Sequence, residues 1–116
     1  GFRNGAGTIL FFEDGAILRK LEQDYPKFAG NVPLYSAHTS AMHQYAAWTQ
    51  FAALGIGANL QHYNPIIDEE VKKRWNIPQD YRLRAQLVFG GISQPAGDKE
   101  FLPVADRLTI HGTLAE

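Results

Sequence analysis

Leu54-Gly55-Ile56-Gly57-Ala58-Asn59-Leu60-Gln61-His62-Tyr63-Asn64-Pro65 is the stretch on which the fold turns. Glycine after an apolar helical run supplies the left-handed conformation that ends a helix, so Gly55-Ile56-Gly57 marks a C-terminal cap. Ala58 to Tyr63 then alternates, with Leu60 and His62 on one face and Asn59, Gln61 and Tyr63 on the other. That period of two predicts a strand, which Pro65 ends. Gln61, His62, Tyr63 and Asn64 follow one another on an element that should be largely buried, and buried polar groups need partners. Either the strand is an edge facing water, or a polar planar ligand lies against it.

Upstream, Ser36 to Leu54 reads as the longest helix, capped by Ser36 or Thr39. Its apolar set is Ala41, Met42, Tyr45, Ala46, Ala47, Trp48, Phe51, Ala52, Ala53 and Leu54. A surface helix shows one stripe and a polar back. This one should be covered on two sides, by its own sheet and by something else, for which another subunit is a candidate. Tyr45 and Trp48 are read as core or subunit packing rather than as substrate-stacking groups. Ala16 to Tyr25 is a shorter helix with a stripe of Ile17, Leu18 and Leu21, stopped by Pro26. Gly30 to Pro33 is a connector. Thr8 to Phe12 is β-branched and aromatic, a short strand buried on both faces, with Glu13-Asp14-Gly15 as its turn.

Downstream, Asp68 to Trp75 is a short helix whose acids open it and whose bases close it, complementing the helix dipole. Tyr81 to Phe89 is the clearest strand. Leu83, Ala85, Leu87 and Phe89 alternate with Arg82, Arg84, Gln86 and Val88. Gly90-Gly91 breaks it. From Ser93 to Glu116 the chain holds Pro95, Gly97, Pro103 and Gly112 and little periodicity, so this tail is expected to reach across a neighbour. Three strands interleaved with helices make a single layered domain over 1–116, α+β or α/β.

Composition narrows the function. The chain has 116 residues, enough for one domain, and 45% of them are apolar, enough for a core. Eleven Lys plus Arg face twelve Asp plus Glu, so no basic field exists to hold a nucleic-acid backbone by charge. The absence of cysteine excludes disulfides, thiolate metal sites and a cysteine nucleophile. It also fits a reducing compartment, and the expected location is cytoplasmic. The longest apolar run, Thr8 to Phe12, is far short of a membrane span. No signal peptide is legible in residues 1–15. The chain opens on Gly1-Phe2-Arg3 without Met, as a processed product or a fragment would.

The usual catalytic patterns are missing. His38, His43, His62 and His111 show no metal-ligand spacing, so no metal site is expected. No Gly-x-Ser-x-Gly elbow surrounds Ser36, Ser40 or Ser93. Glu13-Asp14 and Asp68-Glu69-Glu70 sit at element ends, where capping and dipole pairing account for them. Gly55-Ile56-Gly57 lacks the third glycine of a dinucleotide loop and follows a helix rather than a strand. Gly5-Ala6-Gly7 precedes a strand, the wrong order for a phosphate loop.

Several blocks in order resemble the flavin-dependent nitroreductase family, and within it the small bacterial and fungal proteins similar to the yeast fatty-acid-repression-mutant protein. They are Gly5 to Asp14, Gln44 to Thr49, Gly55 to Pro65, Ile67 to Val71, Tyr81 to Gln86 and Pro95 to Phe101. Leu60-Gln61-His62-Tyr63-Asn64-Pro65 together with Pro95-Ala96-Gly97-Asp98-Lys99 is the specific combination. The resemblance implies the C-terminal portion of an α+β nitroreductase-like fold, an antiparallel-rich sheet flanked by helices. The family's opening helices, Arg-rich cofactor segment and first strand have no counterpart here. It further implies an FMN enzyme that takes electrons from NAD(P)H and reduces nitroaromatics, quinones or similar acceptors by ping-pong hydride transfer. The family is homodimeric, with flavin at the interface and a C-terminal arm, here 93–116, embracing the partner. By the same resemblance the backbone at Leu60, Gln61 and His62 meets the flavin ring, and Lys99, with Arg107 second, meets its phosphate. No catalytic side chain is assigned, because the cofactor carries the hydride chemistry. The rival readings are a non-catalytic dimerisation or interaction fragment and a flavin-binding regulatory protein.

Overall fold

A strand of ten residues, Tyr81–Gly90, forms the spine of the sheet. In chain order the elements are β1 (Gly7–Asp14), α1 (Gly15–Asp24), α2 (Val32–Ala53), β2 (Gly57–Gln61), α3 (Asp68–Trp75) and β3 (Tyr81–Gly90). The computed structural model describes residues 2–113. Gly1 and residues 114–116, the extreme ends of the expected domain and of its arm, lie outside the described residues. β3 pairs antiparallel with β1 on one side and with β2 on the other, giving the order β1-β3-β2. The architecture is α+β.

Two rows across the sheet organise the packing. Ile9, Leu87 and Leu60 stand side by side, and the next row is Leu10, Gln86 and Gln61. Successive side chains point to opposite faces. The first row therefore turns toward α2, where Phe11, Ala85 and Leu87 form the buried core with Ile9, Ala47, Phe51, Ala58 and Leu60 against them. The second row turns toward α3, whose Val71 is buried. Leu83, Ala85, Gln86, Leu87 and Val88 are all buried, because β3 is central and covered on both faces. Phe89 stacks on Phe51 with ring centroids 4.6 Å apart. A Cβ at Gly7 would lie 2.6 Å from the Phe89 ring, so this strand start has room only for glycine.

The first strand is longer than expected. It runs through Glu13 and Asp14, and its residues up to Leu10 are only half-buried. Asp14 ends β1 and caps α1, its carboxylate accepting from the backbone N–H of Ala16 at 2.9 Å. Glu13 is no capping group. It is buried, and it accepts from Ser36 Oγ at 2.8 Å and from Arg84 Nε at 2.5 Å. The register slips between Phe11 and Phe12, which leaves Arg84 opposite no β1 residue and frees it for this contact. Replacing Glu13 by Ala orphans Ser36 and the guanidinium. With Arg84 half-exposed, the expected loss is about 2 kcal/mol of unfolding free energy. Urea denaturation of Glu13→Ala against the parent measures it.

α2 begins at Val32, four residues before Ser36, because Pro33 suits a first turn that has no use for its missing N–H. Ser36 is engaged with Glu13, and Thr39 Oγ1 donates to the Tyr35 carbonyl, so neither caps the helix. A narrow strip of α2, Ser36, Ser40, Gln44, Ala47 and Phe51, is half-buried against the sheet. The opposite side carries Met42, Tyr45 and Trp48, which are 64%, 69% and 40% exposed. Ile17 and Leu21 of α1 are exposed as well.

Every described residue from Gly91 to Thr113 is exposed, and the only regular element there is the 3-10 turn Val104–Asp106. The surface total makes the same point. The molecule exposes 9650 Å², against about 6300 Å² for a compact monomer of this size. Its radius of gyration is 18.8 Å, against about 13 Å for a compact domain of this length. Among the described residues, no helix is long and apolar enough to cross a membrane.

Candidate functional site

β2 is an edge strand, paired with β3 on one side only. In an antiparallel strand alternate residues send their N–H and C=O groups to opposite sides. Part of the β2 backbone therefore faces away from the sheet, ready to pair with something else. The chain reaches this edge through the helix end expected from the sequence. Gly55 takes φ 72, and the Ile56 N–H returns to the Phe51 carbonyl at 2.9 Å. Ala58 and Leu60 then anchor the strand on Ala47 and Phe51, which leaves Asn59 and Gln61 for the other face.

Gln61 is half-buried, and its Oε1 is buried without a hydrogen-bond partner. A carbonyl oxygen taken out of water without a donor costs on the order of 1–3 kcal/mol, and among the described residues neither this atom nor Asp68 Oδ1 has one. Gly57, Asn59 and Gln61 of β2, with Val88 and Gly90 of β3 and Ile92, line a groove of about 550 Å³ that runs from this strand across β3 at one end of the sheet. The lining is uncharged and mixed, with Asn59, Gln61, Ser93 and Gln94 beside Val88, Phe89 and Ile92. That combination accepts the edge of a planar heteroaromatic ring, which presents donors and acceptors in one plane. Two other grooves, about 590 and 760 Å³, flank the two faces of the sheet. Apolar side chains dominate both, and Glu13 and Ser36 in the first satisfy each other.

The strand stops at Gln61, two residues before the expected end at Tyr63. The cause is a long-range capture. Gln86 Oε1 accepts from the Tyr63 N–H at 2.7 Å, and Gln86 Nε2 donates to Asn64 Oδ1 at 3.3 Å. The chain then turns through a cis Asn64–Pro65 bond into α3.

Leu60 and Gln61 thus lie together on the edge strand, and His62 is exposed immediately beyond it. Lys99 and Arg107 lie elsewhere. Both are exposed on the arm, neither lines the groove, and Arg107 Nη2 donates to the arm's own Leu102 carbonyl at 3.4 Å. Within one chain Leu60, Gln61 and His62 follow one another at the end of β2, and Lys99 and Arg107 are not brought to them. Among the described residues, no three His, Cys, Asp or Glu side chains converge as a metal site would need. Sequence reasoning passed over Gln86 and read Glu13 as an end group. The available signal for Gln86 was a carboxamide set in the apolar second half of the strand, Ala85 to Phe89.

Known proteins give this geometry a setting. No family model matches the chain. It is 35% identical over 96 residues to the nitroreductase FRM2 of Saccharomyces cerevisiae, a stretch that covers 83% of this chain and 49% of that protein. It superposes on the nitroreductase CinD of Lactococcus lactis with TM-score 0.88 and 50% identity, covering 90% of this chain and 55% of that one. CinD has been solved in complex with nicotinic acid, 4-nitrophenol and chloramphenicol. A nitroreductase structure from S. cerevisiae matches with TM-score 0.68 and 37% identity, over 75% of this chain and 48% of that one. The chain spans about half the length of the curated relatives it matches.

Proposed function

Over the half of the fold that it spans, this chain belongs to the nitroreductase family, and we propose that the polypeptide carrying it is an FMN-dependent oxidoreductase. Its electron donor is NAD(P)H, its acceptors are nitroaromatics, quinones or similar molecules, and it works by a ping-pong cycle. The acceptor class draws on the 4-nitrophenol bound by CinD. The observation that carries the reading is that, among the described residues, β2 is paired on one side only and the buried Gln61 Oε1 on it has no hydrogen-bond partner. FMN, when bound, supplies the hydride chemistry.

The chain's own residues do the rest. The backbone at Leu60, Gln61 and His62 orients the ring, and its N–H groups stabilise negative charge at the ring edge. Gln61 Oε1 would be available to accept a hydrogen bond from the bound cofactor. Lys99, and secondarily Arg107, bring positive charge to the phosphate through charge-assisted hydrogen bonds. Both sit on the exposed arm, so the polypeptide works as a homodimer in which residues 93–116 reach across the partner. The exposed side of α2, with Met42, Tyr45 and Trp48, is covered in the same assembly. The excess surface of about 3300 Å² per chain leaves room for both the rest of the fold and a second copy to cover it. A cysteine-free chain suits a reducing, cytoplasmic setting.

The test is colour and its reversal. The purified full-length gene product should be yellow with flavin, bleach with NAD(P)H and recover with a nitroaromatic acceptor. A yellow protein that bleaches but never recovers with any acceptor would be a regulatory flavin binder. A colourless one that takes up no added FMN would be an interaction module. Lys99→Ala should weaken FMN binding about tenfold, the loss of one charge-assisted contact, with dimer mass unchanged. Equal retention would remove Lys99 from the phosphate site.

A further inference from the structure

Gln86 is wholly buried in the central strand, between Leu10 and Gln61 in the row that faces α3. An apolar side chain of the same size would fill this place without taking a carboxamide out of water. The amide is instead spent on one short segment 22 to 23 residues away. Its oxygen holds the Tyr63 N–H at 2.7 Å, and its NH₂ holds Asn64 Oδ1 at 3.3 Å. Both bonds fall where the chain leaves β2, immediately after the residues of the edge. They take Tyr63 out of the ladder and fix residues 62–64 against β3, the rigid spine of the sheet.

The geometry points to Gln86 as a positioning residue, which through Tyr63 and Asn64 holds the backbone of 60–62 as a fixed edge for the flavin ring. This rests on the flavin reading above. Gln86 touches no reacting atom. Its contribution is preorganisation, because an edge already held in place loses less freedom when the ring docks.

Three variants of the full-length gene product test this: Gln86→Leu, Asn64→Ala and Asn64→Asp. Gln86→Leu keeps the volume and removes both bonds. Its helix and sheet content by circular dichroism should be unchanged, while the FMN Kd rises about tenfold and the visible flavin band shifts, reporting an altered ring environment. Asn64→Ala removes only the second bond from outside the core, and should raise Kd about threefold with a band shift in the same direction. Asn64→Asp keeps the acceptor and should restore the parent Kd and spectrum. A folded Gln86→Leu protein with parent Kd and parent spectrum overturns the inference. If Gln86→Leu does not fold, an Asn64→Ala protein with parent Kd and spectrum overturns it. Failure of the parent protein itself to take FMN would sink the flavin reading and this one with it, whereas a null result confined to the variants leaves the flavin reading standing.

Discussion

Cutting the chain after Ile92 is expected to abolish FMN retention and the dimer together while leaving the helices and sheet in place. Every described residue from Ser93 to Thr113 is exposed, so the arm buries almost nothing on its own domain. Phe101 is 82% exposed, and Leu102, Val104, Leu108 and Ile110 are exposed around it. Five large apolar side chains left in water on one 24-residue arm make sense when another surface receives them. The cut also removes both cations proposed for the phosphate, Lys99 and Arg107. Losing two charge-assisted contacts and an interface should raise the FMN Kd at least about 100-fold. Sedimentation mass and FMN titration of the full-length product, with and without residues 93–116, measure the two losses. A truncated protein that stays dimeric and yellow would show that the arm embraces nothing.

Leu87→Ala should be the most damaging single core substitution. Leu87 is wholly buried in the middle of the Ile9–Leu87–Leu60 row, between the two strands that flank β3. It belongs to the small buried cluster with Phe11 and Ala85, against which Ala47 and Phe51 of α2 pack. Removing three heavy atoms there costs their transfer free energy and leaves a cavity that a central strand, hydrogen-bonded on both sides, cannot collapse. The expected loss is about 3–4 kcal/mol, a large part of the stability of a domain this size. Chemical denaturation should show the midpoint falling with little change in slope. A loss below about 1 kcal/mol would mean that the sheet does not pack on α2 along this row.

Much of this fold can be read from local pattern. Asp68–Trp75 is helical where acids precede bases, and Tyr81–Gly90 is a strand where Leu83, Ala85 and Leu87 alternate with Arg82 and Arg84. Gly55 takes the left-handed conformation expected of it. What could not be read depends on partners far away in sequence. Gln86 alternates with the apolar row of β3 alongside Arg82 and Arg84, yet it is buried, with Tyr63 and Asn64 held against its amide. β2 ends early because the Tyr63 N–H goes to that same amide, a contact no window of neighbouring residues encodes. Glu13 looked like an end group until the slip at Phe11/Phe12 brought Arg84 to it. The strand order was equally invisible, and with it the fact that β2 is an edge. Of the site, the polar run after Gly57 stood out because Gln61 and His62 did not suit a buried strand. The exposed side of α2 was anticipated from Tyr45 and Trp48 for the same reason in reverse, apolar groups with no cover in their own chain.

The central claim is that FMN docks against the free edge of β2. Amide hydrogen exchange across residues 57–64 of the full-length product, with and without FMN, reads that edge directly. Bound FMN should slow exchange at one or more of Leu60, Gln61 and His62, where backbone N–H groups pass from water to the ring, while the amides of β3 keep their rates. Unchanged exchange at all three residues in a protein saturated with FMN would contradict the claim.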